Sequence, residues 1–192
     1  MIKAIIFDWA GVLAIDGYWV WLKKNIKNIE EHKQFFQETS NLVDSAKIPH
    51  SEFMKILARE SNKTEEQVWK EVRSEIVINK DLVDFIQKLK LKYKIGLLSN
   101  FTYPWLQEIL TENNLWKLFD KYVISSEYKM IKPNPKMFQK ILNLLNIKPK
   151  EALFVDDRQM HIDGAKRVGL EGILFINNVQ LVKDLKKFGI EV

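Results

Sequence analysis

The stretch IKAIIFDWAGVL, residues 2–13, decides the fold of this chain. Its apolar run AIIF has no polar alternation, which is the pattern of a strand that is buried on both faces of a sheet. The run ends in Asp8, and Gly11 then allows the backbone to turn sharply. Ligands of open α/β sheets bind at the carboxyl ends of the strands. The stretch therefore predicts a central strand with a carboxylate at its ligand-binding end, although an Asp that caps a turn fits Asp8 alone equally well.

The length and composition are those of an ordinary globular chain. Its 192 residues are enough for one α/β core with an insertion and too few for two ordinary domains. The absence of cysteine excludes disulfides and thiolate metal sites and favours a cytoplasmic location. Asp8 interrupts the first apolar run too early for a signal peptide, and no apolar run approaches the roughly 18 residues of a membrane span. We therefore expect no membrane partner.

The charge pattern favours an anionic small molecule over nucleic acid. The net charge is +5, from 30 basic and 25 acidic residues, and the lysines are scattered. The densest basic stretch, KLKLKYK at residues 88–94, lies at the end of a predicted helix, where lysines stabilise the negative end of the helix dipole. We interpret it as a solvated helix terminus and expect no nucleic-acid partner. The positive field can steer an anionic substrate toward the protein.

Helices and strands alternate after residue 79. The predicted strands are residues 95–98, 122–124, 152–155 and 172–176, and amphipathic helical segments separate them. Such alternation indicates crossover connections and a parallel sheet flanked by helices, an α/β fold of Rossmann-like type. Because parallel strands end at one edge, we expect Asp8, Ser99 and the pair Asp156 and Asp157 to lie close together.

The region before residue 79 is predicted to be helical throughout. Apolar residues recur at helical spacing after residue 17, and TEEQ at residues 64–67 is a capping box that opens a helix. We predict a small all-helical cap, residues 15–78, inserted into a core formed by residues 1–14 and 79–192. Three aromatic residues near the start of the cap either wall a substrate pocket or form the cap's own core. They are Tyr18, Trp19 and Trp21.

Four stretches in order resemble the motifs of the haloacid dehalogenase-like (HAD) hydrolase superfamily. They are FDWAGVL at residues 7–13, LLSN at 97–100, SSEYKMIKPNPKMF at 125–138 and FVDDRQMHIDGAKRVG at 154–169. The resemblance implies that Asp8 is a catalytic nucleophile and that the Ser99 hydroxyl and the Asn100 backbone amide bind a phosphate oxygen. It also implies that Lys132, the lysine before a proline, binds both phosphate and nucleophile, and that the acids of the fourth motif bind magnesium.

The chemistry that this resemblance implies is consistent with the residue types. A nucleophilic Asp8 would split phosphoester hydrolysis into two easier displacements through an aspartyl-phosphate. Its negative charge approaches a dianion, so Lys132 and a divalent cation are needed to cancel the repulsion. Magnesium prefers hard oxygen ligands, and Asp8, the Ala10 carbonyl and one or both of Asp156 and Asp157 are a sufficient set. Asp163 in the next helix would be a fourth acid. Without the resemblance, Lys132 would be assigned to the surface, and Ser99 and Asn100 would merely terminate a strand.

Two residues depart from the family pattern. Ala10 stands where the phosphatases of the superfamily usually have an Asp that acts as general acid and base, and an alanine transfers no proton. Asp16 is the nearest downstream acid, but it precedes Gly17 and is typical of a turn. Esters with acidic leaving groups are therefore expected to react fastest, unless another residue supplies the proton. His161 stands where the fourth motif more often has Asn.

These patterns predict a magnesium-dependent hydrolase of small phosphorylated metabolites such as sugar phosphates, acting as a monomer or homodimer. One alternative is a non-catalytic phosphate-binding or regulatory protein, which Ala10 favours and the intact Asp8 and Lys132 disfavour. A second is a phosphonate hydrolase with a Schiff-base lysine in the cap. A third is a metal-free dehalogenase, which resembles this chain less because its fourth motif tends to carry Ser and Asn at the positions of Asp156 and Asp157.

Overall fold

The computed structural model describes residues 1–190, which contain one five-stranded parallel sheet. The strands are β1 (Ala4–Phe7), β2 (Lys94–Ser99), β3 (Lys121–Ile124), β4 (Ala152–Asp156) and β5 (Glu171–Leu174). Their spatial order is β3-β2-β1-β4-β5, and every neighbouring pair is parallel. This confirms the predicted α/β fold and places β1 at the centre of the sheet, where all four of its residues are buried.

Ten α-helices and two short 3-10 helices complete the described chain. The helices before β2 are α1 (Gly17–Asn25), α2 (Ile29–Asp44), α3 (His50–Ser61), α4 (Glu65–Ser74) and α5 (Lys80–Leu89). Those after β2 are α6 (Tyr103–Glu112), α7 (Ser125–Tyr128), α8 (Pro135–Leu145), α9 (Gln159–Lys166) and α10 (Asn178–Lys187), with 3-10 turns at Trp116–Leu118 and Pro149–Glu151. Among residues 1–190, no helix combines the length and the apolar character needed to cross a membrane.

Helices cover both faces of the sheet because successive strand residues point to opposite sides. Ile5 and Phe7 of β1 belong to a core shared with α5, α6 and α10, whereas Ala4 and Ile6 belong to a second core shared with α8 and α9. From β1 the chain builds β2 and β3 on one side and then returns to build β4 and β5 on the other. The strand order therefore reverses next to β1, which opens a crevice at the carboxyl end of β1.

Helices α1–α4 form a separate layer above that crevice, with a hydrophobic core of their own. Two neighbouring segments join this layer to the sheet domain. The Ile15 N–H donates to the Val77 carbonyl at 2.9 Å, and the Asn79 N–H donates to the Leu13 carbonyl at 2.9 Å. We propose that these paired segments are the boundary between a core, residues 1–14 and 79–192, and a cap, residues 15–78.

Trp105 of α6 fastens the cap to the core. Its ring belongs to the hydrophobic core of the cap and stacks on Trp69 of α4, with ring centroids 4.4 Å apart and planes inclined by 11°. Arg73 of α4 pairs with Glu108 at 2.7 Å and with Glu112, both on α6. Apolar and ionic contacts between α4 and α6 thus hold the cap over the carboxyl end of β1.

Candidate active site

Asp8 lies at the carboxyl end of β1 and is 5% exposed. Its Oδ1 accepts a hydrogen bond from the Trp9 N–H at 2.7 Å and lies 2.9 Å from the Lys132 Nζ. Both contacts fall on Oδ1, which leaves Oδ2 available. Burial raises the pKa of Asp8 to about 7; the charge of Lys132 opposes this shift and that of Asp156 adds to it. A divalent cation beside the carboxyl would lower this pKa again.

Lys132 is buried between two carboxylates. Its Nζ lies 2.9 Å from Asp8 and 2.7 Å from Asp156. Burial alone would lower the pKa of Lys132, but the charges of Asp156 and Asp8 raise it above its usual value, so the ammonium stays charged. Asn100 positions this lysine, since its side-chain oxygen accepts from the Lys132 N–H at 2.7 Å and its side-chain N–H donates to the Lys132 carbonyl at 3.1 Å. With that amide occupied, only the Asn100 backbone N–H remains for a ligand.

Asp156 ends β4 and is fully buried. It accepts hydrogen bonds from Lys132, from the Arg158 N–H at 2.9 Å and from the Nδ1 of His161 at 3.0 Å. Burial alone would raise the pKa of Asp156, but Lys132 and His161 hold it below its usual range. The carboxylate carries no proton, so Nδ1 of His161 must donate. Burial lowers the pKa of His161, which therefore acts as a neutral donor that fixes Asp156.

The two other acids of the fourth motif, Asp157 and Asp163, are both exposed. Asp157 is exposed and packs against the loop after β1, where a Cβ on Gly11 would lie 2.3 Å from its Oδ2. Gly11 has a φ of +81°, so both its backbone and its missing side chain are required there. Asp163 is exposed and accepts from Gln159 at 2.8 Å, outside the site, so the expectation of a fourth acid in the cluster is wrong.

The site contains groups that suit a metal ion and a phosphate. Ligand atoms of Asp8, Asp156 and His161 all lie within 4.8 Å of one another, and the hydrogen bond between Asp156 and His161 already uses two of these three residues. The Ser99 hydroxyl ends β2 and is fully buried; it lies close enough to Asp8 to lower the pKa of that carboxyl, but it makes no well-formed hydrogen bond within residues 1–190. A buried hydroxyl without a well-formed hydrogen bond costs about 1–3 kcal/mol, so its donor is suited to a ligand oxygen. The structure thus brings Asp8, Ser99, Asn100, Lys132 and Asp156 to one sheet edge, with Asp157 beside the loop of residues 10–11.

A cavity separates this edge from the cap. The cavity has a volume of ≈ 70 Å³. Tyr18 and Trp19 line it, whereas Trp21 is fully buried in the core of the cap, so the pocket and core interpretations of these aromatics are each correct in part. The core domain contributes a second set of lining residues: Asp8, Ala10, Asn100, Phe101, Thr102, Trp105, Arg158 and His161.

One side of α2 supplies the polar roof of the cavity. Gln37, Ser40, Asn41 and Asp44 all line the cavity. They are spaced i, i+3, i+4 and i+7, so they share one helix face. Sequence reasoning missed these four residues, because the same spacing of polar residues describes any solvated helix face. It also missed Trp105, whose position follows from the packing of the cap on α6, and Arg158, which lies between β4 and α9.

A family model described as haloacid dehalogenase-like hydrolase matches residues 2–169. The D-ribitol-5-phosphate phosphatase of Bacteroides thetaiotaomicron is 29% identical over 188 residues, which cover 89% of this chain and 90% of that protein. A solved structure of a predicted HAD-like family hydrolase from Porphyromonas gingivalis has the same fold, with a TM-score of 0.81, 24% identity and full coverage of both chains. A variant HAD family enzyme from B. thetaiotaomicron, solved in complex with magnesium and inorganic phosphate, aligns with a TM-score of 0.77 and 25% identity over 94% of this chain and 99% of that one.

Proposed function

Because this chain belongs to the haloacid dehalogenase-like hydrolase family, we propose that it is a magnesium-dependent phosphatase of small phosphorylated metabolites, with Asp8 as nucleophile. The observation that carries the proposal is the buried Lys132, held between Asp8 and Asp156 at 2.9 and 2.7 Å. A fully buried ammonium is costly unless it has a charged partner. Here the lysine is placed where it lowers the repulsion between an ionised nucleophile and a phosphate dianion.

The chain's own residues divide the reaction into two displacements. Oδ2 of Asp8 attacks phosphorus, the ester oxygen leaves, and an aspartyl-phosphate forms. Water then attacks the phosphorus and releases inorganic phosphate with regeneration of the Asp8 carboxylate. The Ser99 hydroxyl and the Asn100 N–H donate to phosphate oxygens, and Lys132 neutralises negative charge in both steps.

The residues fit a magnesium ion, which would supply positive charge next to the nucleophile and the phosphate oxygens. Asp8 and the Ala10 carbonyl are two of the proposed ligands. Of the two neighbouring acids, Asp156 already accepts hydrogen bonds on both oxygens, from Lys132, Arg158 and His161. Asp157 makes no hydrogen bond to another side chain among residues 1–190. We therefore assign direct ligation to Asp157 and the positioning of Lys132 to Asp156.

The roof of the cavity supports a hydroxyl-rich substrate. Gln37, Ser40 and Asn41 offer amide and hydroxyl groups, while Trp19 and Trp105 offer apolar rings. Amides and hydroxyls can each donate to and accept from a sugar or polyol hydroxyl. The resemblance to a D-ribitol-5-phosphate phosphatase agrees with this chemistry. Sugar and polyol phosphates are therefore the proposed substrate class.

The phosphonate alternative has little support in the cavity. A Schiff-base mechanism needs a cap lysine at the reacting centre, and no lysine of the cap is among the cavity-lining residues that the structure describes. The non-catalytic alternative requires that Asp8 be inert, although the carboxyl lies beside the charged Lys132 and lines the cavity.

The test is hydrolysis of a panel of sugar, polyol and aryl phosphates and phosphonates by the purified protein with magnesium. We expect phosphate release that stops on exhaustive chelation and returns with added magnesium. Asp8→Asn should abolish turnover without changing the circular dichroism, because the amide is nearly isosteric but not nucleophilic. Asp163→Asn, which neutralises an exposed acid outside the site, is the matched control and should retain activity.

Three outcomes would contradict the proposal. Residual activity of Asp8→Asn above about a hundredth of wild type would exclude Asp8 as the covalent residue. Full turnover after chelation would exclude the metal-dependent phosphatase and favour the dehalogenase. No turnover of any ester would favour the non-catalytic protein.

A further inference from the structure

Ala10 leaves the reaction without an obvious proton donor. It lines the cavity next to Asp8, and its methyl group cannot protonate an alkoxide. Two further carboxyl groups line the same cavity, Asp16 and Asp44. A proton donor for the leaving oxygen must come from groups that reach this space.

Asp16 is already engaged as a helix cap. Its Oδ1 accepts a hydrogen bond from the Trp19 N–H at 3.4 Å at the start of α1. Burial raises the pKa of Asp16, while the capping hydrogen bond from Trp19 and the charge of Arg158 oppose the shift. The carboxyl of Asp16 is held at the start of α1 by this hydrogen bond, so we assign it the capping role.

Asp44 has the opposite surroundings. It is the last residue of α2, at the negative end of the helix dipole, and no basic residue occupies that turn. A carboxylate is disfavoured at this end of a helix. Asp44 is partly exposed, it lines the cavity, and its carboxyl makes no hydrogen bond or ion pair within residues 1–190. The fold thus places an unpartnered carboxyl in the wall of the cavity that Asp8 also lines, in a setting that favours the neutral acid.

We propose that Asp44 protonates the leaving oxygen of the substrate and thereby replaces the acid that Ala10 cannot provide. This inference rests on the proposed phosphatase function. In the first displacement, Asp8 forms a bond to phosphorus, the P–O bond to the leaving group breaks, and the proton of Asp44 passes to that oxygen to give an alcohol. In the second, the attacking water gives a proton back to the Asp44 carboxylate as the P–O bond to Asp8 breaks.

The electrostatics of the cavity agree with this role. Burial and the nearby charge of Asp16 raise the pKa of Asp44 to about 8, and Asp8 adds to the shift, while Arg158 and Lys132 oppose it. At neutral pH the carboxyl therefore carries the proton that the first step needs. The titratable and charged groups around it are Asp16, Tyr18, Arg158, His161, Asp8 and Lys132.

The experiment measures kcat/KM for aryl and simple alkyl phosphates graded by leaving-group pKa, on the magnesium-loaded enzyme. A general acid contributes about a hundred- to ten-thousand-fold when the leaving oxygen is basic and little when it is acidic. We expect a shallow dependence for wild type. Asp44→Asn should lose that factor on alkyl phosphates and little on nitrophenyl phosphate. Asp163→Asn, which removes an exposed acid outside the cavity, should retain the shallow slope.

Two further measurements separate proton donation from binding. Wild-type kcat/KM for alkyl phosphates should fall as the pH rises through about 8, where Asp44 loses its proton. Asp44→Asn should show no such fall at alkaline pH. Adding Ala10→Asp to Asp44→Asn should restore the alkyl rates, whereas Ala10→Asp alone should change the wild-type slope little. An acid at position 10 can take over the role of Asp44 only if that role is to donate a proton, since it lies on the other side of the cavity and would not restore a binding contact made by Asp44.

Three results would overturn the inference while leaving the phosphatase function intact. The first is a steep leaving-group dependence in wild type, and it can be read even if Asp44→Asn fails to fold. The second is an equal loss on aryl and alkyl esters in Asp44→Asn, which would indicate binding alone. The third is a fall of kcat/KM above about pH 8 that persists in Asp44→Asn. Failure of the proposed function is a different observation, since wild type would then turn over no ester at all.

Discussion

Replacing Lys132 by Met tests the electrostatic centre of the site without any substrate. Methionine keeps much of the apolar length of the side chain and removes only the charge. In the absence of metal, the change leaves Asp8 and Asp156 buried with no cation between them. Removing one partner of a buried ion pair costs about 3–5 kcal/mol of stability. Asp156 keeps the hydrogen bonds from Arg158 and His161, so we expect the lower half of that range at pH 7.

The deficit should depend on pH in a defined direction. Without Lys132, burial and mutual repulsion raise the pKa of both carboxyls in the folded state above the unfolded value of about 4. The folded variant then binds more protons than the unfolded chain, so its stability rises as the pH falls toward 4. In wild type, Lys132 holds the pKa of Asp156 below its usual range, so the contribution of Asp156 stays constant from pH 7 to pH 5 and is lost only below the unfolded value of about 4. The difference between the two proteins should therefore shrink from pH 7 to pH 5.

The assay is urea unfolding followed by tryptophan fluorescence, with EDTA present, at both pH values. Lys90→Met is the matched control, because Lys90 pairs with Asp120 at 2.9 Å on the surface, with side chains 30% and 38% exposed. An exposed pair of this kind is worth about 0–1 kcal/mol. The reasoning is refuted if Lys132→Met costs no more than Lys90→Met at pH 7, or if its deficit grows on acidification.

Two other predictions concern the loop after β1 and the contact between cap and core. Gly11→Ala should cost about 1–2 kcal/mol for the left-handed backbone and also raise the magnesium concentration needed for activity, because the new Cβ meets Asp157. Gly189→Ala, with a φ of +72° and no neighbouring atom within 4 Å, should show a stability cost in urea unfolding and an unchanged magnesium titration. Trp105→Ala should lower the free energy of unfolding by about 3–5 kcal/mol, as the loss of a buried indole does, and a smaller loss for the half-buried Trp116→Ala is the control.

The fold was predictable from the sequence because its signals are local. The apolar run before Asp8 and the strand and helix alternation after residue 79 identified all five strands to within two residues at each end. The order of the strands and the position of Asp8 at the reversal point then follow from parallel pairing. The predicted helix that included Lys88 ends at Leu89, and the lysine stretch continues into β2, since Lys94 opens that strand.

The candidate site was predictable only for residues that belong to short, contiguous sequence motifs. Asp8, Ser99 and Asp156 lie at strand ends, so sequence position determines their place, whereas Lys132 lies beyond α7 and only the family motif identified it. The contribution of the cap depends instead on how α2 is oriented above the sheet, and neither periodicity nor capping contains that information. Asp44 is an example, because an acid in the last turn of an amphipathic helix has the same sequence signature on the surface as over an active site.

The paired segments that join cap and core bring the two crossings of the chain side by side. Because residues 13–15 and 77–79 are hydrogen-bonded to each other, any movement of the cap relative to the sheet would take place about these segments. Such a movement would separate the two stacked tryptophans and release Arg73 from α6. Motions of this kind occur on the microsecond to millisecond scale and limit the turnover of many enzymes. We therefore predict that added sucrose, which raises solvent viscosity, lowers kcat for good substrates more than kcat for poor ones.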